Sequence, residues 1–138
     1  MKMTIRRGEW LRGMCGLLYD RATGRLCAQG FVGEACGLSR EAMAGYGSFA
    51  DIAEAGTLLS PRIYDLFVVK ADEAANEWGG DSTEFCSDSA ELEYHNTRLA
   101  DETMSINDSV RLDLSDGERE RQLIELYAPH GVELEFVD

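Results

Sequence analysis

Hydrophobic positions change rhythm several times along the chain, and these changes predict short strands and helices in alternation. Residues 3–6 predict a first strand, and residues 7–12 predict a single helical turn. Two apolar runs, residues 16–20 and 25–28, flank a four-residue connection that ends in Gly24. Short strands on either side of a glycine-containing connection are typical of a β-hairpin.

The next part of the chain predicts short helices and one buried strand. Apolar residues over 31–36 follow helical spacing, and Gly37 is a natural stop for that helix. Single helical turns are expected at residues 39–43 and 49–53. Residues 63–69 form the most apolar run, and their Val, Ile, Tyr and Phe content favours a buried strand over a helix.

A longer helix is predicted over residues 84–106. Leu92, Leu99 and Ile106 recur every seven residues and would give this helix one narrow apolar stripe.

The end of the chain carries the clearest local signals. Ser115 and Glu118 have the spacing of a capping box, which predicts a helix over residues 116–128. Pro129 and Gly131 would end that helix and reverse the chain. Residues 132–137 alternate between apolar and acidic side chains, which suits an antiparallel strand with one solvated face.

These elements together predict a single α+β domain over residues 1–138, in which a small antiparallel sheet packs against two or three helices. The chain has 138 residues, of which 44% are hydrophobic, so it can bury a core without the help of disulfides or a structural metal. No run approaches the roughly 18 apolar residues that span a bilayer, and the first residues do not look like an export signal. We therefore expect a cytoplasmic protein, and in particular no membrane partner.

The charge of −13 is distributed unevenly along the chain. Residues 1–40 hold seven Lys/Arg and three Asp/Glu, whereas residues 71–138 hold four Lys/Arg and nineteen Asp/Glu. An acidic half repels phosphates, which argues against direct binding of nucleic acid and favours a basic protein surface as partner. The alternative interpretation is that the charge serves solubility. The basic residues are expected to pair with the acidic half, within the molecule or across a dimer; they are Lys2, Arg6, Arg7, Arg12, Arg21 and Arg25.

Residue types that commonly perform chemistry are present without a recognisable arrangement. The four cysteines have no zinc-site spacing and are expected to be reduced and mostly buried. His130 is expected to face the negative end of a helix dipole, and His95 to lie on a polar helix face. No glycine-rich loop matches a phosphate-binding pattern. We therefore predict no catalytic residue, no metal site and no cofactor, although a cysteine-dependent enzyme stays open.

The strongest candidate for function is a row of carboxylates. On a helix, Glu84, Asp88 and Glu91 would share one face about 5–6 Å apart, interrupted later by His95 and Arg98. Such a row can occupy a groove built for nucleic-acid phosphates, although a merely solvated helix face would have the same spacing. The predicted partner-binding residues are Glu84, Asp88, Glu91, Glu93, Asp101 and Glu102.

Two segments resemble a group of small uncharacterised proteins encoded by bacteriophages and prophages. The matching residues are Trp10-Leu-Arg-Gly13, Leu26-Cys27, Gly30-Phe31 and Ala35-Cys36-Gly37, then Ile106-Asn107-Asp108, Glu118-Arg-Glu120 and Leu126 through Val137. Relatives often carry two adjacent cysteines where this chain has Cys27 and Ala28. The resemblance implies a phage accessory gene, and it transfers no functional residue because the group has no known activity.

Charge and resemblance together give two expected functions. The first is a non-enzymatic phage protein that binds a basic host protein through its acidic half, in the host cytoplasm. By analogy with small phage proteins that disarm host nucleases, the target would be a defence nuclease, inhibited in an anti-CRISPR-like manner by mimicry of nucleic acid. The alternative is an accessory or structural protein that self-associates, for example as a homodimer, with no host-defence target.

Overall fold

Six α-helices and three pairs of strands make up the part of the chain that the structure describes. This computed structural model describes residues 1–12, 16–70, 93–108 and 115–138. The strands are β1 (Lys2–Arg6), β2 (Tyr19–Asp20), β3 (Arg25–Leu26), β4 (Val68–Lys70), β5 (Tyr94–Asn96) and β6 (Glu133–Val137). The helices are α1 (Ala28–Ala35), α2 (Arg40–Met43), α3 (Phe49–Glu54), α4 (Pro61–Phe67), α5 (Arg98–Asp108) and α6 (Asp116–Tyr127), with 3₁₀ turns at Arg7–Glu9 and Ala128–His130. The α+β class predicted from the sequence is confirmed.

The first and last strands pair with each other, and the pair is parallel. Met3 lies opposite Leu134, and Ile5 opposite Phe136. These four side chains face the core, while the alternate residues of both strands face solvent. The prediction that the final strand is antiparallel was wrong. Alternation of apolar and acidic residues shows that one face of a strand is exposed to solvent, but it does not show whether the strand pairs parallel or antiparallel. Parallel strands need a long connection, and the helices between β1 and β6 supply one.

The turn before β6 is fixed by its contacts with the start of β1. Gly131 adopts a left-handed backbone with φ of 76° and leads the chain from α6 into β6. Its carbonyl accepts a hydrogen bond from the amino group of Met1 at 2.8 Å, and the Glu133 amide donates to the Met1 carbonyl at 2.8 Å. The predicted reversal at Gly131 is thus confirmed, and it positions β6 against β1.

The apolar run at residues 63–69 is mostly a helix, so the buried strand predicted there was wrong over most of its length. Pro61 is at the first helical position of α4, and the Ser60 hydroxyl accepts from the Ile63 amide at 3.4 Å. Serine followed by proline is a strong helix start. Ile63, Leu66 and Phe67 then bury one helical face, and only the residues after Phe67 are extended in β4.

The long helix predicted over residues 84–106 is interrupted in its described part. Residues 94–96 form β5, which pairs antiparallel with β4, and α5 begins only at Arg98. Thr97 separates the two elements: its hydroxyl accepts from the Ala100 amide at 3.2 Å and donates to the Leu66 carbonyl at 2.6 Å. Leu99 and Ile106 do pack against the core from α5. Residues 84–92 lie outside the described ranges.

Several local predictions are confirmed. The hairpin is formed by β2 and β3, α1 ends near Gly37, and α2 and α3 lie where single turns were expected. The Ser115 hydroxyl caps α6 by accepting from the Glu118 amide at 3.2 Å. The second half of the capping box is replaced, since the Glu118 carboxylate pairs with Arg121.

One hydrophobic core joins these elements. Phe67 connects its middle, with ring centroids 5.2 Å from Phe49 and 6.2 Å from Tyr127. Near β6, the Trp10 and Phe136 rings lie 5.0 Å apart. The core therefore links β1 and β6 with α3, α4 and α6, and it leaves the β4–β5 pair at its edge, where the predicted site residues begin.

Candidate functional site

The structure describes three of the six predicted partner-binding residues. Glu93 is exposed and immediately precedes β5, whereas Asp101 and Glu102 belong to the first turns of α5. Because β5 and Thr97 separate them, the three do not lie on one helix. Glu84, Asp88 and Glu91 are outside the described residues.

The β4–β5 pair brings together the two ends of an acidic stretch of sequence. Lys70, the last residue of β4, lies opposite Tyr94, the first residue of β5. The 22 residues between 71 and 92 include seven Asp/Glu and no Lys or Arg. At the start of β5, the Tyr94 amide donates a hydrogen bond to the Glu54 carboxylate. Glu93 immediately precedes Tyr94 in the chain. The acidic stretch 71–92 thus begins after Lys70 and ends before Glu93, at the β4–β5 pair.

The basic residues near the start of the chain are used inside the molecule. Arg7 forms a bidentate pair with Glu120, through hydrogen bonds of 2.9 and 2.8 Å, and also contacts Asp138. Arg12 pairs with Asp116 at 2.8 Å. The hydrogen bond from Arg12 lowers the pKa of the Asp116 carboxyl group, and Arg119 adds to this effect against the opposing effect of burial. The basic front (residues 1–40) was expected to pair with the acidic half (residues 71–138). This expectation is confirmed for Arg7 and Arg12.

Three further basic residues also form ion pairs, two of them with a carboxylate of residues 1–40. Lys2 pairs with Glu135 across the β1–β6 pair at 3.5 Å. Arg6 and Arg40 both contact Glu9. Solvent-exposed pairs of this kind contribute little stability, about 0–1 kcal/mol each. The consequence is electrostatic: the pairs made by Lys2, Arg7 and Arg12 offset part of the carboxylate charge of α6 and of β6.

Other exposed carboxylates have no such counter-charge. Within the described ranges, six exposed carboxylates make no ion pair: Asp51, Glu54, Asp65, Glu93, Glu102 and Glu133. Asp65 is on α4 and Glu102 on α5, and both line one cleft. Unneutralised charge is therefore found beside β4, β5 and the start of α5, whereas α6 is balanced.

That cleft has a volume of about 280 Å³ and lies between α4, α5 and the end of α6. Its apolar lining comes from Leu66, Leu99 and Leu126. Thr97 also lines it, but its hydroxyl is already committed to the Leu66 carbonyl and the α5 cap. The sequence did not indicate this cleft, because its walls come from three separate elements of the chain.

Neither histidine has the predicted setting in full. His95 is half-buried on β5, so its expected place on a polar helix face was wrong. His130 lies in the 3₁₀ turn that follows α6, and its carbonyl accepts from Arg62 at 3.0 Å. Arg98 and His130 both border the cleft described above.

The two described cysteines, Cys27 and Cys36, lie in different settings. Cys27 is buried, and its thiol caps α1 by accepting from the Gly30 amide at 3.4 Å. Burial raises the pKa of the Cys36 thiol, although Arg62 and Ser60 partly oppose this effect. A protonated thiol is a weak nucleophile. Cys15 and Cys86 lie outside the described residues.

A buried asparagine forms the main polar junction of the molecule. The Asn107 carbonyl oxygen accepts from the Trp10 indole at 2.7 Å and from the Ala28 amide at 3.1 Å. Its amide group donates to the Leu11 carbonyl at 2.9 Å and to the Asp108 carboxylate at 2.8 Å. Asn107 thereby fixes α5 against the segment that follows β1 and against the start of α1. The sequence indicated only a helix end here.

Asp108 is expected to destabilise the protein above about pH 6, and Asp108→Asn should relieve this cost. Burial raises the pKa of Asp108 to about 6, with opposing contributions from Asn107 and Arg119. An unfolded aspartate titrates near about 3.9. The native carboxyl therefore holds its proton more tightly, and the free energy of unfolding falls as pH rises between those two values.

Urea unfolding of the wild type and D108N at about pH 4.5 and about pH 7.5 tests this expectation. The variant should gain about 1 kcal/mol more at the higher pH, after allowance for partial solvent screening. Asp51→Asn, at an exposed position with the same chemical change, is the control and should show a smaller difference. An equal effect of D108N at both pH values would contradict the assignment.

In residues 1–12, 16–70, 93–108 and 115–138, no three His, Cys, Asp or Glu side chains cluster as metal ligands. None of the helices in those ranges combines the length and apolar composition needed to cross a bilayer.

Comparison with known proteins adds no relative. No protein-family model, no curated protein and no solved structure matches this chain.

Proposed function

We propose that this chain is a non-enzymatic binding protein of phage or prophage origin that engages a basic surface on a host protein. The acidic side around β4, β5 and the start of α5 would form the contact. The predicted residues Glu84, Asp88, Glu91, Glu93, Asp101 and Glu102 are retained as the contact set. Inhibition of a defence nuclease, by occupation of its nucleic-acid groove, is the specific form of this proposal.

The observation that carries the proposal is the uneven neutralisation of charge. Arg7 and Arg12 are paired with carboxylates of α6 and the chain end, so that face is balanced. Glu93 and Glu102 have no described counter-ion, and the adjoining stretch 71–92 adds seven negative charges. A localised negative field attracts a basic partner and speeds its association.

The same observation weighs against the alternative of head-to-tail self-association. That arrangement needs the basic front of one copy to meet the acidic half of another. Arg7, Arg12 and Lys2 are already used within one molecule, and breaking these pairs would offset the gain. The alternative predicts a salt-dependent mass for the pure protein, which light scattering measures directly.

Reversal of three predicted contact residues should abolish capture of the partner. A tagged protein is incubated with bacterial lysate at low and moderate salt, and bound proteins are identified by mass spectrometry. The variant E84K/D88K/E91K should lose a stoichiometric partner that the wild type retains, because attraction becomes repulsion. Binding should weaken as salt rises, and DNA or RNA should compete if the partner is a nucleic-acid enzyme.

The matched control is E41K/E125K/E133K, which changes the net charge by the same amount at exposed carboxylates of α2, α6 and β6. It should retain the partner. Recovery of the bait alone, or equal loss in both triple variants that remain folded, would refute the proposal.

A further inference from the structure

We infer that the cleft between α4 and α5 receives a long basic side chain, arginine or lysine, from the partner. This inference rests on the proposed function and names the chemistry that the partner would insert. The cleft combines an apolar floor with two carboxylates that make no ion pair with a described residue.

The size of the cleft limits what it can hold. Pockets for drug-sized ligands have volumes of roughly 300–1,000 Å³. A cleft of about 280 Å³ lies at the lower edge of that range and has room for one long side chain. Its floor of Leu66, Leu99 and Leu126 offers apolar surface for an aliphatic stem. Arginine and lysine place such a stem on apolar surface while keeping the charged end near water.

The lining carries two carboxylates, Asp65 and Glu102, against one guanidinium, Arg98, so its net charge favours a cationic ligand. Asp65 on α4 and Glu102 on α5 are exposed carboxylates that border the cleft from different helices. Neither forms an ion pair with a described residue. A guanidinium group satisfies two carboxylates through several hydrogen bonds, which an anionic or apolar side chain cannot do.

The remaining lining residues are compatible with this choice. Thr97 has its hydroxyl committed to the Leu66 carbonyl and to the Ala100 amide. The His130 carbonyl already accepts from Arg62. Arg98 borders the same cleft from the first residue of α5, so an incoming cation would approach from the side of Asp65 and Glu102.

Peptides of defined charge test the inference on the whole protein. The methyl resonances of Leu66, Leu99 and Leu126 are followed by NMR during titration with acetyl-Gly-Arg-Gly-amide and acetyl-Gly-Lys-Gly-amide. The citrulline peptide is the control, because citrulline has nearly the shape of arginine without its charge. Saturable shifts of these methyl groups with the basic peptides, and none with citrulline, are expected. Equal shifts with citrulline would overturn the inference.

Two matched double variants separate the cleft from general charge. D65N/E102Q should weaken binding of the arginine peptide by about fivefold, whereas D51N/E133Q, with the same charge change, should stay within about twofold. Equal weakening in both would overturn the inference.

The partner captured from lysate then distinguishes the two proposals. If D65N/E102Q retains the partner fully while E84K/D88K/E91K loses it, the cleft inference fails and the proposed function stands. If the basic peptides bind the cleft as expected but no partner is captured from lysate, the proposed function fails, whereas the preference of the cleft for basic side chains stands.

Discussion

Asn107→Ala should lower the free energy of unfolding by about 3–5 kcal/mol, as measured by urea unfolding followed by circular dichroism. The substitution leaves the Trp10 indole N–H, the Ala28 amide and the Leu11 carbonyl without their partner. Each buried polar group that loses its hydrogen bond costs about 1–3 kcal/mol, and partial entry of water reduces the sum. The effect is large because one side chain satisfies groups from three segments.

A double-mutant cycle isolates one of these bonds. Trp10→Phe removes only the indole donor, and its effect combined with N107A should be less than additive by about 1 kcal/mol. Ser105→Ala changes an exposed residue on the same helix and should stay within about 0.5 kcal/mol of the wild type. A loss below about 1 kcal/mol for N107A would show that the junction is not a main source of stability.

Gly30→Ala should destabilise the protein by about 2–4 kcal/mol, although alanine is the better helix former. A Cβ at this position of α1 would lie 2.3 Å from the Leu18 carbonyl oxygen and 3.0 Å from Leu26 Cδ2. The Leu18 carbonyl cannot simply retreat, because it accepts from the Cys27 amide at 3.0 Å. Relief of the clash must therefore displace α1 from the β2–β3 hairpin.

Gly117→Ala is the matched control for this prediction. Gly117 is also helical, in the first turn of α6, but no atom lies within 4 Å of the position of its added Cβ. The variant should be as stable as the wild type or gain up to about 1 kcal/mol. If G30A and G117A shift the urea midpoint alike, close packing at Gly30 does not limit stability.

Local signals account for what the sequence predicted correctly. Ser39, Ser48 and Ser115 each accept from the amide three residues later, and the helices that follow them were expected. The prediction failed where the β-favouring composition of a segment was given more weight than the helix-capping serine in front of it. The apolar run after Ser60 and Pro61 was expected to be a strand, yet its first residues form α4.

Non-local features were beyond sequence reasoning. Charge asymmetry predicted that the basic front pairs with the acidic half, but it could not select Glu120 for Arg7 or Asp116 for Arg12. Asn107 looked like a helix end because its partners lie about 80 to 97 residues away in the chain. The cleft likewise depends on how α4, α5 and α6 pack, which no single segment encodes.

The parallel pairing of β1 with β6 has a kinetic consequence. Met1 and Gly131, which share a hydrogen bond, are separated by 130 positions, so this contact closes one of the longest loops that the chain allows. Folding slows as the average sequence separation of native contacts grows. During synthesis, Met3 and Ile5 leave the ribosome long before Leu134 and Phe136 exist to cover them. We therefore expect a slow last folding phase in which β1 docks, and a nascent chain that depends on chaperones until β6 has been made.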